Sequence, residues 1–105
     1  MPFKEIQKDV DDWAQQFKDP YWPPLSMLAR VSEEVGELSR ELNDRYGGRV
    51  KKSGEDTEDI GDEINDIIFA LICLANSHKI DLDESWQRIM DKCYKRDNQR
   101  FERKE

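Results

Sequence analysis

Apolar residues along the chain fall into four stretches of helical period. Phe3, Ile6, Val10, Trp13 and Phe17 recur at steps of three and four, which puts one apolar stripe on a helix from about Pro2 to Lys18. The prolines of Asp19-Pro20-Tyr21-Trp22-Pro23-Pro24 end it, because they remove backbone donors and bias the residues before them to extended conformations. Tyr21 and Trp22 are therefore expected on a stiff loop. Leu28, Val31, Val35, Leu38 and Leu42 step three and four in strict alternation, a coiled-coil-like ridge on a helix from about Leu25 to Tyr46 that Gly47-Gly48 stops. A third helix, starting near Asp56 or Thr57, carries Ile60, Ile64, Ile67, Leu71 and Leu74 on one face and Phe69, Ile72 and Cys73 on the others. Asp81-Leu82-Asp83-Glu84 has the form of a capping box and opens a fourth helix bearing Leu82, Trp86, Ile89 and Cys93.

This pattern predicts an all-α fold, a four-helix bundle in a single domain spanning residues 1–105, a length that supports one modest core. The C-terminal half of the third helix is apolar all round and needs cover on every side, more than three other helices of so short a chain supply. The expectation is a homo-oligomer, dimer or tetramer, built around that helix. With 39% charged against 36% hydrophobic residues, the apolar positions have to be concentrated on a few faces.

A formal charge of −7 repels polyanions and argues against nucleic-acid binding. Cys73 and Cys93 fall on apolar stripes and read as reduced core residues, which favours a cytoplasmic setting. Met1 to Glu5 lacks the apolar stretch of a signal peptide, and the run from Ile67 to Ala75 is too short to span a bilayer, so no membrane role is expected. His78, at the end of the third helix, reads as a cap or a complement to the helix dipole.

Charge becomes informative once it is placed on the helices. The second helix carries Glu33, Glu34, Glu37 and Glu41, and the third carries Asp59, Asp62, Glu63 and Asp66, a column of acids on each. At about 100° per residue, Glu34 lies roughly 70 to 80° and Glu63 roughly 60° from the centres of their apolar ridges, where a facing helix begins. If the two helices pack antiparallel, Glu34, Glu37, Glu63 and Asp66 face a shared space. Only Arg30 and Arg40 stand near the first column, and no basic residue follows the second along its helix. A cation would answer the repulsion. All-oxygen ligands without His or Cys select hard ions such as magnesium, with manganese as a substitute. Solvated acids on an exposed helix face are the plain alternative.

Glu34-Val35-Gly36-Glu37-Leu38, followed by Glu63-Ile64-Asn65-Asp66, resembles the Glu-x-x-Glu and Glu-x-x-Asp signature of the MazG-like nucleotide pyrophosphohydrolases. The similarity runs from the Pro24 loop into Lys92 and Arg96 and is closest to the short, single-domain YpjD-like branch. It implies a four-helix MazG-like bundle in which Glu34, Glu37, Glu63 and Asp66 ligate magnesium. The implied reaction converts a nucleoside triphosphate and water to the monophosphate and pyrophosphate, in the manner of enzymes that clear non-canonical or excess nucleotides. Glu33 is a weaker candidate for the proton acceptor. Lys92, Arg96 and Arg100, four residues apart on the fourth helix, are candidates for phosphate contact, with a solvated basic tail as the plain reading. Trp22 matches the region where relatives place base-contacting residues. Arg49, Lys51 and Lys52 between the second and third helices offer a further possible phosphate contact. Asn65 departs from the small residue frequent in the signature.

Two other classes compete. A non-enzymatic helical interaction module would use the acids for solubility and the ridges for a partner helix. A ferritin-like dinuclear iron protein needs Glu-x-x-His pairs, and His78 has no glutamate three residues before it.

Overall fold

The computed structural model describes residues 2–46 and 57–104. Four helices follow one another, α1 (Pro2–Ala14), α2 (Pro24–Tyr46), α3 (Thr57–Ser77) and α4 (Leu82–Lys95), with no strand among the described residues. The all-α expectation holds. The 47–56 segment, with Gly47-Gly48, Arg49, Lys51 and Lys52, lies outside the described residues.

α1 ends three residues before the apolar period does. After Ala14 the backbone tightens, with Gln16 N donating to the Trp13 carbonyl and Phe17 N to that of Ala14. The chain is turning toward Asp19-Pro20, and a proline disfavours helix in the residue before it. Phe17 keeps its place beside the stripe by packing edge-on against Trp13, ring centres 5.0 Å apart. α2 starts on Pro24, where the missing donor costs nothing, and the Pro23 carbonyl accepts from Ser26 N and Met27 N.

α3 closes with Lys79 in the left-handed region, φ 56°, and Ile80 N returning to the Ala75 carbonyl. His78 Nδ1 lies 3.1 Å from the Leu74 carbonyl, so the histidine caps. α4 has half of its expected capping box. The Asp81 carboxylate accepts from Asp83 N and Glu84 N, but Glu84 turns outward to pair with Arg88 at 3.1 Å. Asp83 is used elsewhere: its two oxygens accept from Phe3 N and Lys4 N, so a carboxylate some 80 residues away caps α1. Phe3 and Trp86 pack across the same junction, ring centres 5.7 Å apart.

The most extensive packing is α2 against α3; α1 lies on α3, and α4 on α1. A polar staple joins α1, the proline loop and the end of α3. Asn76 Nδ2 donates to the Gln7 carbonyl and to the Tyr21 hydroxyl, Gln7 Nε2 donates to Asn76 Oδ1 and the Ile80 carbonyl, and the Tyr21 hydroxyl donates to Asp11. Burial and the Asp11 carboxylate push the Tyr21 phenol up to about 12, so it remains a donor at any physiological pH. The loop is thus pinned as well as stiff.

The core is small, with Val10, Ala14, Met27, Ala70, Ile72 and Ala75 buried. The α2 ridge divides: Val31 and Leu38 are half-buried, while Leu28, Val35 and Leu42 stay 55%, 44% and 40% exposed. α3 divides the same way, Ile60, Ile67 and Leu74 half-buried and Ile64 and Leu71 exposed. Both cysteines are free, but Cys93 is exposed, contrary to its core reading, because α4 packs on α1 alone among the more extensive helix contacts.

Replacing Asp83 by alanine removes the α1 cap as well as a first-turn acid of α4. Chemical or thermal denaturation is expected to show a loss of about 1 kcal/mol, with Asp83→Asn retaining part of it.

Candidate active site

α2 and α3 run antiparallel. Met27 and Arg30 face Phe69, Ala70 and Cys73, whereas Glu34 and Glu37, further along α2, face Glu63, further back along α3. Helical period therefore sets the acids of the two columns opposite one another at the border of the packed ridges.

Glu34, Glu37 and Glu63 each present one carboxylate oxygen within 4.8 Å of the others. Glu34 and Glu63 are half-buried, and Oε2 of each is enclosed without a hydrogen-bond partner. Asp66 is exposed and stands outside this trio, although its charge still acts on Glu63. Burial first, then the negative charges of Glu37, Glu34 and Asp66, push the Glu63 carboxyl up to about 7. The trio is all oxygen. Three such atoms, two of them on residues with an enclosed and unsatisfied oxygen, suit a hard divalent cation, whose octahedral ligands lie about 3 to 4 Å apart.

The other sequence candidates are scattered. Glu33 is exposed and shares a shallow hollow with Gly36, Glu37 and Arg40. Lys92 lies on the last turn of α4, but Arg96 is its C-cap and Arg100 falls in the turn beyond, so the three do not share one helix face. Asp97 stops the run, accepting from Arg96 Nε at 3.3 Å and drawing Arg100 to 3.9 Å. None of the three forms an ion pair with the trio among the described residues.

Trp22 is better placed. It lines a pocket of about 320 Å³ with Trp13, Phe17, Met27, Phe69 and Cys73, one to two turns along α2 and α3 from the trio. Arg30, which the linear sequence sets beside the acids, instead holds its guanidinium 5.8 Å from the ring centres of both Trp22 and Phe69. Burial keeps the Cys73 thiol above its usual range, and Arg30 opposes that only in part. Trp13 and Phe17 read as stripe residues in the sequence, and Phe69 as an apolar residue on another face of its helix. Their excess of aromatic rings around one proline loop was the available signal that they line a cavity.

Comparison with known proteins bears on the family and the fold. The profile of the MazG nucleotide pyrophosphohydrolase domain matches residues 23–101. The uncharacterised protein YpjD of Bacillus subtilis is 50% identical over 102 residues, covering 97% of this chain and 92% of the relative. Its crystal structure superposes with a TM-score of 0.80 over 86% of this chain and 92% of that one. The crystal structure of a Bacillus-conserved MazG protein, a nucleotide pyrophosphohydrolase, is 42% identical with a TM-score of 0.72, covering 86% of both chains. None of the described helices is long and apolar enough to cross a membrane.

The Glu63 carboxyl is ordinarily near 4.5 and sits near 7 in the folded chain, so between those values the folded state retains a proton that the unfolded state has lost. Without metal, stability is expected to fall as pH rises through this window and to level off above it. Denaturant unfolding at a series of pH values checks this, and the Glu63→Gln chain should lack that component of the slope.

Proposed function

The chain belongs to the MazG nucleotide pyrophosphohydrolase family, a family of hydrolases, and from that premise we propose that it cleaves nucleoside triphosphates to monophosphate and pyrophosphate in a magnesium-dependent reaction at the α2–α3 carboxylates. The observation that carries this reading is the meeting of Glu34, Glu37 and Glu63 beside an aromatic pocket on the same helix pair. An interaction module has no use for enclosed, unsatisfied carboxylate oxygens next to a cavity for a flat ring.

In this reading Glu34, Glu37 and Glu63 hold the cation, and Asp66 completes the set. Magnesium, with manganese as a substitute, would neutralise the triphosphate and lower the pKa of bound water. The chain's own part is placement. The aromatic pocket takes the base, with Trp22 stacking on it, and thereby sets the phosphates over the carboxylates. Glu33, exposed beside Glu37, is the carboxylate left to accept a proton from the attacking water. Lys92, Arg96 and Arg100 serve the phosphates once α4, or its counterpart in a second copy, is drawn toward them. Clearing non-canonical or excess nucleotides in the cytoplasm is the corresponding role, and the domain spans residues 1–105.

The same reading includes a homodimer or homotetramer. α3 packs on α1 and α2, and its third side, Ile64, Ile68 and Leu71, is open beside exposed Leu28, Val35 and Leu42 of α2. Leu28, Val35 and Leu42 repeat at seven residues and Ile64, Ile68 and Leu71 at four and three, which suits the ridge of a second identical copy.

Incubation with magnesium and a panel of canonical and modified NTPs and dNTPs is expected to yield monophosphate and pyrophosphate, with Glu63→Gln reducing kcat by roughly 100-fold or more. No turnover on any member, or turnover unchanged in Glu63→Gln, refutes the reading. Light scattering should give a dimer or tetramer mass, and Val35→Lys combined with Leu71→Lys should shift it toward monomer while helix content persists.

A further inference from the structure

The pocket beside the carboxylates is lined by two charged side chains, the half-buried Arg30 and the exposed Asp19, that make no ion pair among the described residues. Arg30 is half-buried and faces the rings of Trp22 and Phe69, each 5.8 Å from its guanidinium carbon. Among the described residues no carboxylate lies within 4 Å of it and no acceptor hydrogen-bonds to it. Asp19, on the proline loop, lines the same pocket and also lacks a hydrogen bond among the described residues. Ring faces attract a guanidinium, but they leave its five N–H donors unused. Those donors are open to the pocket and are available to a ligand that enters it.

The walls decide what that ligand presents here. Trp13, Phe17, Trp22 and Phe69 suit a flat ring, and a triphosphate surrounded by them would lose its water and its cations. The phosphates belong with the carboxylate trio. Arg30 therefore meets the edge of the base. A guanidinium offers two parallel donors in a fixed fork, which require two acceptors side by side. Guanine presents O6 and N7 in that way, and cytosine O2 and N3. Each also carries an exocyclic amine for a carboxylate to accept. Adenine alternates its acceptors with its amine, and thymine and uracil separate their carbonyls by a ring N–H.

We propose that Arg30 is the specificity-determining residue of this pocket, selecting guanine and cytosine nucleotides over adenine, thymine and uracil nucleotides, with Asp19 accepting from the amino-bearing side of the base. The proposal deepens the nucleotide reading above and rests on it for the presence of a base in the pocket.

The test measures kcat/KM for the four dNTPs and four NTPs with magnesium, in the wild-type chain and in Arg30→Lys, which keeps the charge and loses the fork. The wild-type chain is expected to favour guanine and cytosine nucleotides by roughly 10- to 100-fold. In Arg30→Lys that ratio should fall toward one. Equal use of all bases by the wild-type chain overturns the proposal. An Arg30→Lys loss uniform across bases also overturns it, since that marks a phosphate contact or a packing role. Quenching of tryptophan fluorescence by dGMP, dCMP, dAMP and dTMP gives a second readout that needs no turnover. If no triphosphate is hydrolysed, the enzymatic reading fails, and this titration still decides on Arg30. Tighter binding of dGMP and dCMP that Arg30→Lys abolishes supports it, and binding without preference overturns it.

Discussion

Packing α2 antiparallel against α3 forces carboxylates together, and the rest of the molecule follows from that. Glu34, Glu37 and Glu63 come within 4.8 Å because they border the apolar ridges that make the contact. Two unit charges 4 Å apart repel by about 4 kcal/mol at the effective dielectric of a protein surface. The half-buried Val31, Leu38, Ile60 and Ile67 oppose that repulsion by keeping apolar surface from water. A proton held on Glu63 near neutrality relieves the remainder, because burial and three negative neighbours raise its carboxyl to about 7.

The same register places the aromatic pocket. Moving back along α2 from Glu34 reaches Arg30 and Met27, and moving forward along α3 from Glu63 reaches Phe69 and Cys73. Acids and rings are thus neighbours by helical period alone. The pocket's outer wall is different in kind, since it depends on a loop. Tyr21, tied to Asp11 and Asn76, fixes the proline segment that carries Trp22 and Asp19. Two rigid helices supply the charge, and a pinned loop supplies the lid side of the cavity.

Period-based reading was sufficient for what lies on helices. The four helices, the Asp81 cap and the convergence of Glu34, Glu37 and Glu63 all follow from three- and four-residue spacing. It was insufficient where a residue's neighbour is distant in sequence. Arg30 sits one turn from Glu34 and stands near the acidic column in the sequence, yet its guanidinium lies over ring faces from the loop and from α3. Asp83 reads as a first-turn acid of α4, but its carboxylate serves α1. Spacing on one helix also cannot show that α4 stops at Lys95, before Arg96 and Arg100 complete their row. The exposure of Cys93 is missed for the same reason, since a stripe marks one face without naming what covers it.

Asp83 has a consequence for the order in which the chain is completed. α1 precedes the other three described helices, and its leading backbone donors are satisfied by a residue that is made after α1, α2 and α3 have been finished. Until then those donors face water, and an isolated helix of 13 residues is marginal on its own. α1 is consequently the helix whose cap waits for α4. Closing α4 on α1 converts a row of local helices into a unit that gains its final contacts late and together.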